Sequence, residues 1–383
     1  MSPDILLFDT GDVDASEEYL LGMRELRRRL PENCRWHVAA KGHCPLPADF
    51  LGFTDTEHLL VILNSCLVIS DQLLADLEEL LASRGIDCAL PADPRTAAGE
   101  WQIDYASRSG FDRYVRRRRS LACAAYDRRA PWLYLVKRQA LANLVASDPA
   151  LGWHLVPGGL GSKAQVAERA FVHSFADYRQ SDRSEMLRLV PESAASLLDV
   201  GGGEGGFALG FARQRAKPAA LAEPNHAAAA KARARGLEVH CAAFEALDEA
   251  LSFDCIAFLD VLEHLADPLA ALLKARRMLN PGGTILMSVP NVGHWSVAWD
   301  LLEGHFDYQP VGILCTTHLR FFSRHGLERI IDEAGLSIID WKDSHSPIPG
   351  EFAKLLERMD DSNLRLDRNS LGTESFHVLV GRR

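Results

Sequence analysis

The stretch Leu197-Leu198-Asp199-Val200-Gly201-Gly202-Gly203-Glu204-Gly205-Gly206 decides the fold. Its apolar start predicts a buried strand, and the glycines that follow predict a tight turn into a helix. Glycines at such a turn also let a ligand approach the backbone, because no Cβ stands in the way. The loop alone fits dinucleotide, nucleotide or methyl-donor cofactors, and it also fits a purely structural strand-to-helix turn.

Strand and helix patterns alternate on the C-terminal side of this loop. We predict strands over 219–223, 237–241, 253–259 and 284–289, with helices over 225–236 and 267–279 between them. Such alternation predicts a doubly wound, largely parallel α/β sheet. Two late strands, 337–341 and 375–381, suit an antiparallel pair at the edge of that sheet.

The N-terminal part of the chain predicts a second, smaller α/β domain. Strand–helix units are expected near 4–30 and 58–84, and a further strand near 131–136. The cluster Pro157-Gly158-Gly159-Leu160-Gly161-Ser162 is typical of a linker. The predicted division is an N-terminal domain over 1–156, a linker and lead-in helix over 157–189, and a C-terminal domain over 190–383.

Composition excludes several classes of protein. With 383 residues and 47% hydrophobic residues, the chain can form two domains with full cores, and its net charge of −10 disfavours a nucleic-acid binder. We interpret the basic run near 113–119 as a solvated helix face. The eight cysteines form no Cys-x-x-Cys pair, so neither a zinc site nor a disulfide framework is expected. With no basic leader and no apolar run long enough to span a membrane, we expect a cytoplasmic protein.

Two further pieces of sequence narrow the choice of cofactor. Glu223 ends the second strand about twenty positions after the loop, where a carboxylate can accept hydrogen bonds from ribose hydroxyls. Nicotinamide cofactors pass that test as well. The stretch 253–268, which contains Asp260-Val261-Leu262-Glu263-His264-Leu265-Ala266-Asp267-Pro268, and the turn Leu279-Asn280-Pro281-Gly282-Gly283 separate the two possibilities.

In this order and spacing, the four pieces resemble the class I S-adenosylmethionine-dependent methyltransferases. The resemblance covers roughly 190–290 and implies a Rossmann-like seven-stranded sheet that binds S-adenosylmethionine at the carboxyl ends of its strands. Tyr178, in the lead-in segment, would close over the cofactor. By resemblance the cofactor-binding residues are Tyr178, Asp199, Gly201, Gly203, Gly205, Glu223, Ala243, Phe244, Leu259 and Asp260.

The sequence departs from the family pattern at two positions. Gly202 stands where relatives often carry cysteine, a difference that we expect to be harmless. Position 243 is alanine where relatives can carry an aspartate for adenine recognition, so Glu245 or backbone groups would take over that contact.

Downstream stretches resemble a subgroup associated with surface-polysaccharide and other glycan assembly. They run over 288–295, 302–308 and 312–323 and are rich in aromatic residues and histidines. The resemblance implies a cover over the substrate and a small-molecule or glycan acceptor.

Histidines are the expected catalytic groups, because an acceptor hydroxyl must lose a proton and imidazole titrates near neutral pH. His264 follows the strand at the cofactor floor, and His318 lies in the motif Thr317-His318-Leu319-Arg320. We predict that these two are catalytic, ahead of His294 and His305. The alternative for each is a structural hydrogen-bonding role.

Asp260, Glu263 and His264 also resemble the set with which quinone-pathway relatives hold a divalent cation. Their spacing would place them on one helical face. We predict no metal, because the first position is Asp rather than Glu and the same words occur in metal-free members.

The N-terminal domain faintly resembles glycosyltransferases of the A type. Active members carry Asp-x-Asp at the strand end where this chain has Asn64-Ser65-Cys66. The resemblance implies a domain that has lost sugar transfer and either binds substrate or pairs subunits into a homo-oligomer.

The prediction is therefore a methyltransferase acting from S-adenosylmethionine on an oxygen, with nitrogen second, of a sugar or glycan-type acceptor. Three alternatives stay open from the residues. They are a nicotinamide-dependent oxidoreductase, a non-catalytic methyltransferase-like assembly module, and a bifunctional glycosyltransferase–methyltransferase.

Overall fold

The computed structural model divides the chain into two compact units, residues 1–103 with 111–176 and residues 104–110 with 177–383. The basic side chains of the 113–119 run, the Asn64–Cys66 segment and Tyr178 lie outside the residues that the structure describes. The described residues are 3–8, 17–39, 45–63, 67–93, 111–112, 115, 131–174, 183–309, 312–360 and 366–383.

The first unit contains a mixed seven-stranded sheet with the order β2-β1-β3-β6-β5-β7-β4. β1 runs parallel to β2 and β3, and β5 runs parallel to β7, whereas β6 is antiparallel to both of its neighbours. The strands are β1 (Asp4–Phe8), β2 (Trp36–Ala39), β3 (His58–Ile62), β4 (Leu67–Ile69), β5 (Cys88–Ala92), β6 (Leu133–Lys137) and β7 (Ala164–Ser174). The described α-helices are Glu17–Arg29, Pro47–Phe50, Leu73–Leu81, Arg138–Ser147 and Val156–Leu160.

Two apolar layers hold this sheet between helices. Successive residues of β3 point to opposite faces, and both faces are buried, which explains its unbroken apolar run Leu59-Leu60-Val61-Ile62. The helix Leu73–Leu81 buries Leu73, Leu77 and Leu81 against one face. The sequence thus encodes a sheet covered on both sides.

Residues 157–174 differ from the linker expected there. Pro157 lies in the first turn of the helix Val156–Leu160, where its missing N–H costs nothing. The chain then enters β7, which pairs with β5 and β4 inside the first sheet. The glycine cluster marks tight local turns within the first unit.

The second unit contains a sheet with the order β10-β9-β8-β11-β12-β14-β13. The first five strands in this order are parallel, and β14 pairs antiparallel with both β12 and β13. The strands are β8 (Leu197–Val200), β9 (Ala219–Ala222), β10 (Glu238–His240), β11 (Phe253–Leu259), β12 (Leu279–Pro290), β13 (Leu336–His345) and β14 (Thr373–Arg382). The described α-helices are Ser184–Leu187, Gly206–Arg215, His226–Ala234, Pro268–Arg277, Trp295–Leu302, Arg324–Glu333, Gly350–Asp360 and Arg368–Gly372.

Side-chain caps fix where several of these helices begin. Asn225 accepts from the backbone N–H of Ala227 and Ala228, Asp267 from Ala270, and Ser323 from Gly326. The expected alternation of strands and helices, and the late antiparallel pair, are both confirmed. The prediction of an α/β chain with a seven-stranded C-terminal sheet and an N-terminal α/β domain is therefore confirmed.

Among the described helices, none combines the length and the apolar character needed to cross a bilayer.

Candidate cofactor site

Three acidic residues meet at the carboxyl edge of the second sheet. Asp199 lies next to Leu221 on β9 and Ala257 on β11, Glu223 follows the last residue of β9, and Asp260 follows the last residue of β11. Because parallel strands end at the same edge, these side chains lie close together at the carboxyl edge of the sheet. Such sheets usually bind their ligands at this edge. The predicted site residues from three separate motifs are thereby brought together.

The glycine loop is shaped by backbone conformations that favour glycine. Gly201, Gly203 and Gly205 all have positive φ, between 57° and 76°. A Cβ at Gly205 would also overlap Leu237, so this glycine lets the following helix pack closely on the sheet. Gly201 anchors the loop through a 2.7 Å hydrogen bond from its N–H to the carbonyl oxygen of Ala222.

Asp199 is a buried carboxylate with unused hydrogen-bonding capacity. The residue is 1% exposed, and its Oδ2 has no hydrogen-bond partner within the described parts of the chain. Burial, together with the nearby charge of Glu223, raises the pKa of Asp199 to about 7. A buried acceptor of this kind calls for a donor, which a bound ligand can supply.

The space beside Asp199 depends on Gly202. A Cβ at position 202 would overlap the Asp199 carboxylate. The sequence led us to expect the difference between glycine and cysteine here to be harmless, but in this chain the carboxylate fills the volume that a side chain would need. The observed position of the Asp199 carboxylate therefore requires glycine at position 202.

Glu223 braces the loop. Its two carboxylate oxygens accept from the N–H of Gly203 at 2.9 Å and of Asn225 at 2.8 Å. Glu223 thus fixes the loop conformation from the end of β9, the position at which the sequence predicts a ribose contact.

The predicted adenine contacts divide into one exposed and one buried residue. Ala243 is exposed, whereas the Phe244 ring is in the core, 5.1 Å from the Phe258 ring. Lys274 donates to the carbonyls of Glu245 and Leu247 and holds this turn in place. Phe244 therefore shapes the turn from below, and Ala243 and the backbone are the groups open to a ligand.

Asp260 has an unusual backbone conformation and a partner for each carboxylate oxygen. Its φ is +54°, its Oδ1 accepts from Ser288 Oγ at 2.6 Å, and its Oδ2 forms an ion pair with Arg183. Ser288 lies opposite His377 on β14. Sequence reasoning missed Ser288 and His377; the signal for Ser288 was a polar residue inside the apolar strand Ile285–Val289.

His264 and His318 come together around Glu263. Their ring centroids are 4.8 Å apart, and His318 Nε2 lies 4.0 Å from Glu263 Oε1. Glu263 is 1% exposed, and neither of its carboxylate oxygens has a hydrogen-bond partner among the residues described. Burial raises the pKa of Glu263 well above its usual range, with the charge of Asp260 adding to the effect.

Backbone contacts hold the cluster Glu263–His264–His318 in position. His264 Nδ1 lies 3.1 Å from Thr317 O and His318 Nδ1 lies 2.9 Å from Ile313 O, so each Nδ1 carries the proton that it donates. Burial, together with the nearby imidazole of His264, lowers the pKa of His318 to about 4. His318 is therefore neutral at physiological pH, with a lone pair on Nε2.

The other two histidines that we considered lie outside this cluster. His294 is buried, with its ring nitrogens 2.9 Å from Ser296 Oγ and 2.6 Å from Ser346 Oγ. Its pKa is lowered by burial to about 4. His305 is half exposed and lies beside Asp307. The structure thus brings His264 and His318 together and places His294 and His305 apart from them.

Comparison with known proteins gives one family match. A family model described as "Methyltransferase domain" matches residues 171–340. No curated protein sequence matches the chain.

Several solved structures overlap with about half of the chain. An S-adenosylmethionine-dependent methyltransferase from Clostridium acetobutylicum is 14% identical, covers 54% of this chain and 93% of its own, and has a TM-score of 0.37. The CcbJ methyltransferase from Streptomyces caelestis is 14% identical over 54% of this chain and 89% of its own, with a TM-score of 0.38. The N-terminal domain of EvdMO1 with SAH bound is 18% identical over 57% of this chain and 86% of its own, with a TM-score of 0.35.

The chain therefore carries a class I S-adenosylmethionine-dependent methyltransferase domain within residues 171–340, and its enzyme class and cofactor are those predicted. The residues fit this cofactor, since Asp199 Oδ2 is a buried acceptor without a partner among the described residues, and Glu223 lies beside the loop.

Proposed function

We propose that this domain methylates a hydroxyl oxygen, in preference to a nitrogen, of a sugar or glycan-type acceptor. The observation that carries the proposal is the cluster Glu263–His264–His318, which lies just past the cofactor floor at Asp260.

A bound S-adenosylmethionine supplies a methyl group on a sulfonium, which is already a good leaving group. The chain must then position the acceptor and remove its proton. A hydroxyl needs that help at neutral pH far more than an amine does. We infer that the acceptor proton is lost at the cluster Glu263–His264–His318, with His264 and His318 as the catalytic residues.

The acceptor class follows from an aromatic surface next to the cluster. The rings of Phe306, Tyr308 and Phe321 lie 5.6 to 6.4 Å from one another, and the Phe321 ring lies 6.3 Å from the ring of His318. Phe306 is 40% exposed and Tyr308 is 52% exposed. Exposed aromatic faces beside hydrogen-bonding groups suit a ring that is apolar on its face and polar at its rim, as a sugar is.

We further propose that the first unit serves the acceptor rather than the chemistry. Among its described residues, the most buried acid, Asp4, is fully engaged with Arg35 and Thr54 and is not available for catalysis. Acceptor binding and subunit pairing are the two roles left for this unit. The Asn64-Ser65-Cys66 segment, which replaces Asp-x-Asp, argues against a bifunctional enzyme. Buried free thiols such as Cys88 and Cys255 suit the cytoplasm.

The first experiment is a calorimetric titration with S-adenosylhomocysteine, with NADH as the control ligand. We expect S-adenosylhomocysteine alone to bind. Incubation with methyl-deuterated S-adenosylmethionine and a panel of nucleotide sugars and glycans should then give an O-methylated product, identified by mass spectrometry. Binding without turnover on the whole panel would favour the assembly module, and transfer to nitrogen would contradict the choice of atom.

Variants of the two histidines test where the proton is lost. We expect His264→Ala and His318→Ala to bind S-adenosylhomocysteine normally and to lose turnover by about 100-fold or more, the usual loss when a proton acceptor is removed. His305→Ala is the matched control, because His305 belongs to the same segment but is exposed and lies outside the cluster. Unchanged turnover in His318→Ala would remove that residue from the catalytic set.

A further inference from the structure

Glu263 is a buried carboxylate that receives no hydrogen bond from the side chains and backbone groups described. Its side chain is 2% exposed, and both carboxylate oxygens lack hydrogen-bond partners within the described chain. A buried carboxylate without partners is costly unless a proton or a cation accompanies it. The groups facing it decide between these two solutions.

Two imidazoles face this carboxylate. Glu263, His264 and His318 each offer one ligand atom, and these three atoms lie within 4.8 Å of one another. The ligand atoms around a four-coordinate zinc ion lie about 3.3 Å apart, so side-chain rotations that move the atoms by about 1 Å would complete the geometry.

The backbone orients both rings in the way that metal-binding histidines require. A histidine ligand commonly donates its second ring N–H to a carbonyl, which fixes the tautomer and aims the other nitrogen at the ion. His318 makes this contact to Ile313 O, and His264 makes it to Thr317 O.

We propose that Glu263, His264 and His318 form a binding site for one divalent transition-metal ion, with zinc as the favoured ion. Two imidazole nitrogens and one carboxylate suit zinc and its first-row neighbours, whereas magnesium and calcium prefer oxygen ligands alone. The partly exposed His264 leaves one side of the site open for a fourth ligand.

This set differs from the one that the sequence brought to attention. Asp260 is already engaged by Arg183 and Ser288, and its place is taken by His318 from the segment that follows β12. The ion would therefore connect the turn Leu262–His264 to the loop over 312–320. Its catalytic role rests on the proposed function: with both imidazoles bound to the ion, the cluster would promote loss of the acceptor proton by lowering the pKa of a coordinated hydroxyl, and not by accepting the proton itself.

The test measures metal binding by the whole 383-residue chain and needs no acceptor. The purified protein is stripped with a chelator, dialysed and titrated with Co²⁺, whose visible absorption reports ligation in an open or tetrahedral site. We expect one equivalent to bind, with competition by Zn²⁺, and one zinc per chain by elemental analysis. Glu263→Gln and His318→Gln should each weaken Co²⁺ binding by about 100-fold or more.

Two controls separate this result from unfolding and from surface binding. His305→Gln should leave the Co²⁺ spectrum unchanged, and Glu263→Gln should keep the wild-type affinity for S-adenosylhomocysteine. Absence of a Co²⁺ signal in protein that binds S-adenosylhomocysteine would overturn the metal site and leave a protonated Glu263 carboxyl. A signal that persists in Glu263→Gln would overturn it as well, because the ion would then be held elsewhere. Neither outcome depends on methyl transfer, so the proposed function fails or stands separately.

Discussion

Each of the two sheets buries an aspartate, and the two aspartates differ in their hydrogen-bond partners. In the first unit, Asp4 accepts from Arg35 Nε at 2.9 Å and from Thr54 Oγ1 at 2.6 Å. In the second unit, Asp199 is equally buried, but its Oδ2 has no partner in the described parts of the chain. A buried acid with partners stabilises its domain, whereas one without partners costs stability and is kept for a ligand. The partners of a buried acid, more than its burial, thus distinguish structure from function.

The largest expected effect separates these two residues, because the same substitution should weaken ligand binding at Asp199 and lower stability at Asp4. Asp199→Asn should weaken S-adenosylhomocysteine binding by about 100-fold or more, because it removes the carboxylate acceptor from the ligand site, a loss of about 3 kcal/mol. Isothermal titration calorimetry measures this change in affinity. Asp4→Asn is the matched control and should leave binding unchanged while lowering the free energy of unfolding by about 1.5–3 kcal/mol. Wild-type affinity for S-adenosylhomocysteine in Asp199→Asn would show that the Asp199 carboxylate does not serve the ligand.

The pH dependence of stability should separate the two aspartates further. The folded pKa of Asp199 is about 7, above the unfolded value of about 3.9, so the folded state retains a proton between these values. Its contribution to stability is therefore present at low pH and is lost as pH rises from about 4 to about 7. Relative to wild type, Asp199→Asn should gain about 2 kcal/mol of unfolding free energy between pH 5 and pH 8, measured by urea denaturation. A gain that does not vary with pH would show that Asp199 is ionised throughout.

Gly202→Ala tests the space that Asp199 occupies. The added Cβ would overlap the carboxylate and force it out of its position, so we expect about a tenfold loss of S-adenosylhomocysteine affinity, or about 1.4 kcal/mol. Gly350→Ala is the control in the same unit, because a Cβ there meets nothing within 4 Å. Equal affinities in the two variants would show that the Asp199 side chain can move without loss.

The smallest expected effect is at the aromatic surface. Phe306→Ala removes one exposed face of the Phe306–Tyr308–Phe321 group, and we expect the KM for the acceptor to rise about fivefold while kcat and cofactor affinity stay unchanged. Steady-state kinetics with the acceptor found by the panel provide the measurement. A fall in kcat with constant KM would place Phe306 in the chemistry instead.

The sequence predicted the parts of the site that lie close together along the chain. The glycine loop, the acidic strand ends at Asp199, Glu223 and Asp260, and the alternation of strands all follow local patterns with short spacings. Such patterns survive in the structure because parallel strands bring their ends to one edge.

What the sequence could not show depends on contacts between distant segments. His318 lies close to Glu263 although more than fifty positions separate them in the sequence, and neither local pattern predicts this contact. The burial of Phe244 and the overlap between a Cβ at Gly202 and Asp199 are likewise properties of packing. The linker expected after Pro157 failed for a different reason, because proline in a first helical turn and proline in a linker look the same in sequence.

The order of strands in the second sheet also bears on how this domain folds. β14 lies between β12 and β13, so β13 pairs only with a strand that is made after it. Pairing of Thr284 with Gly381 joins residues nearly a hundred positions apart. Until that contact forms, β12 has an open edge and β13, with its exposed Ile338 and Ile339, has no partner in the sheet. We therefore expect a slow folding step at which aggregation competes with the docking of β14.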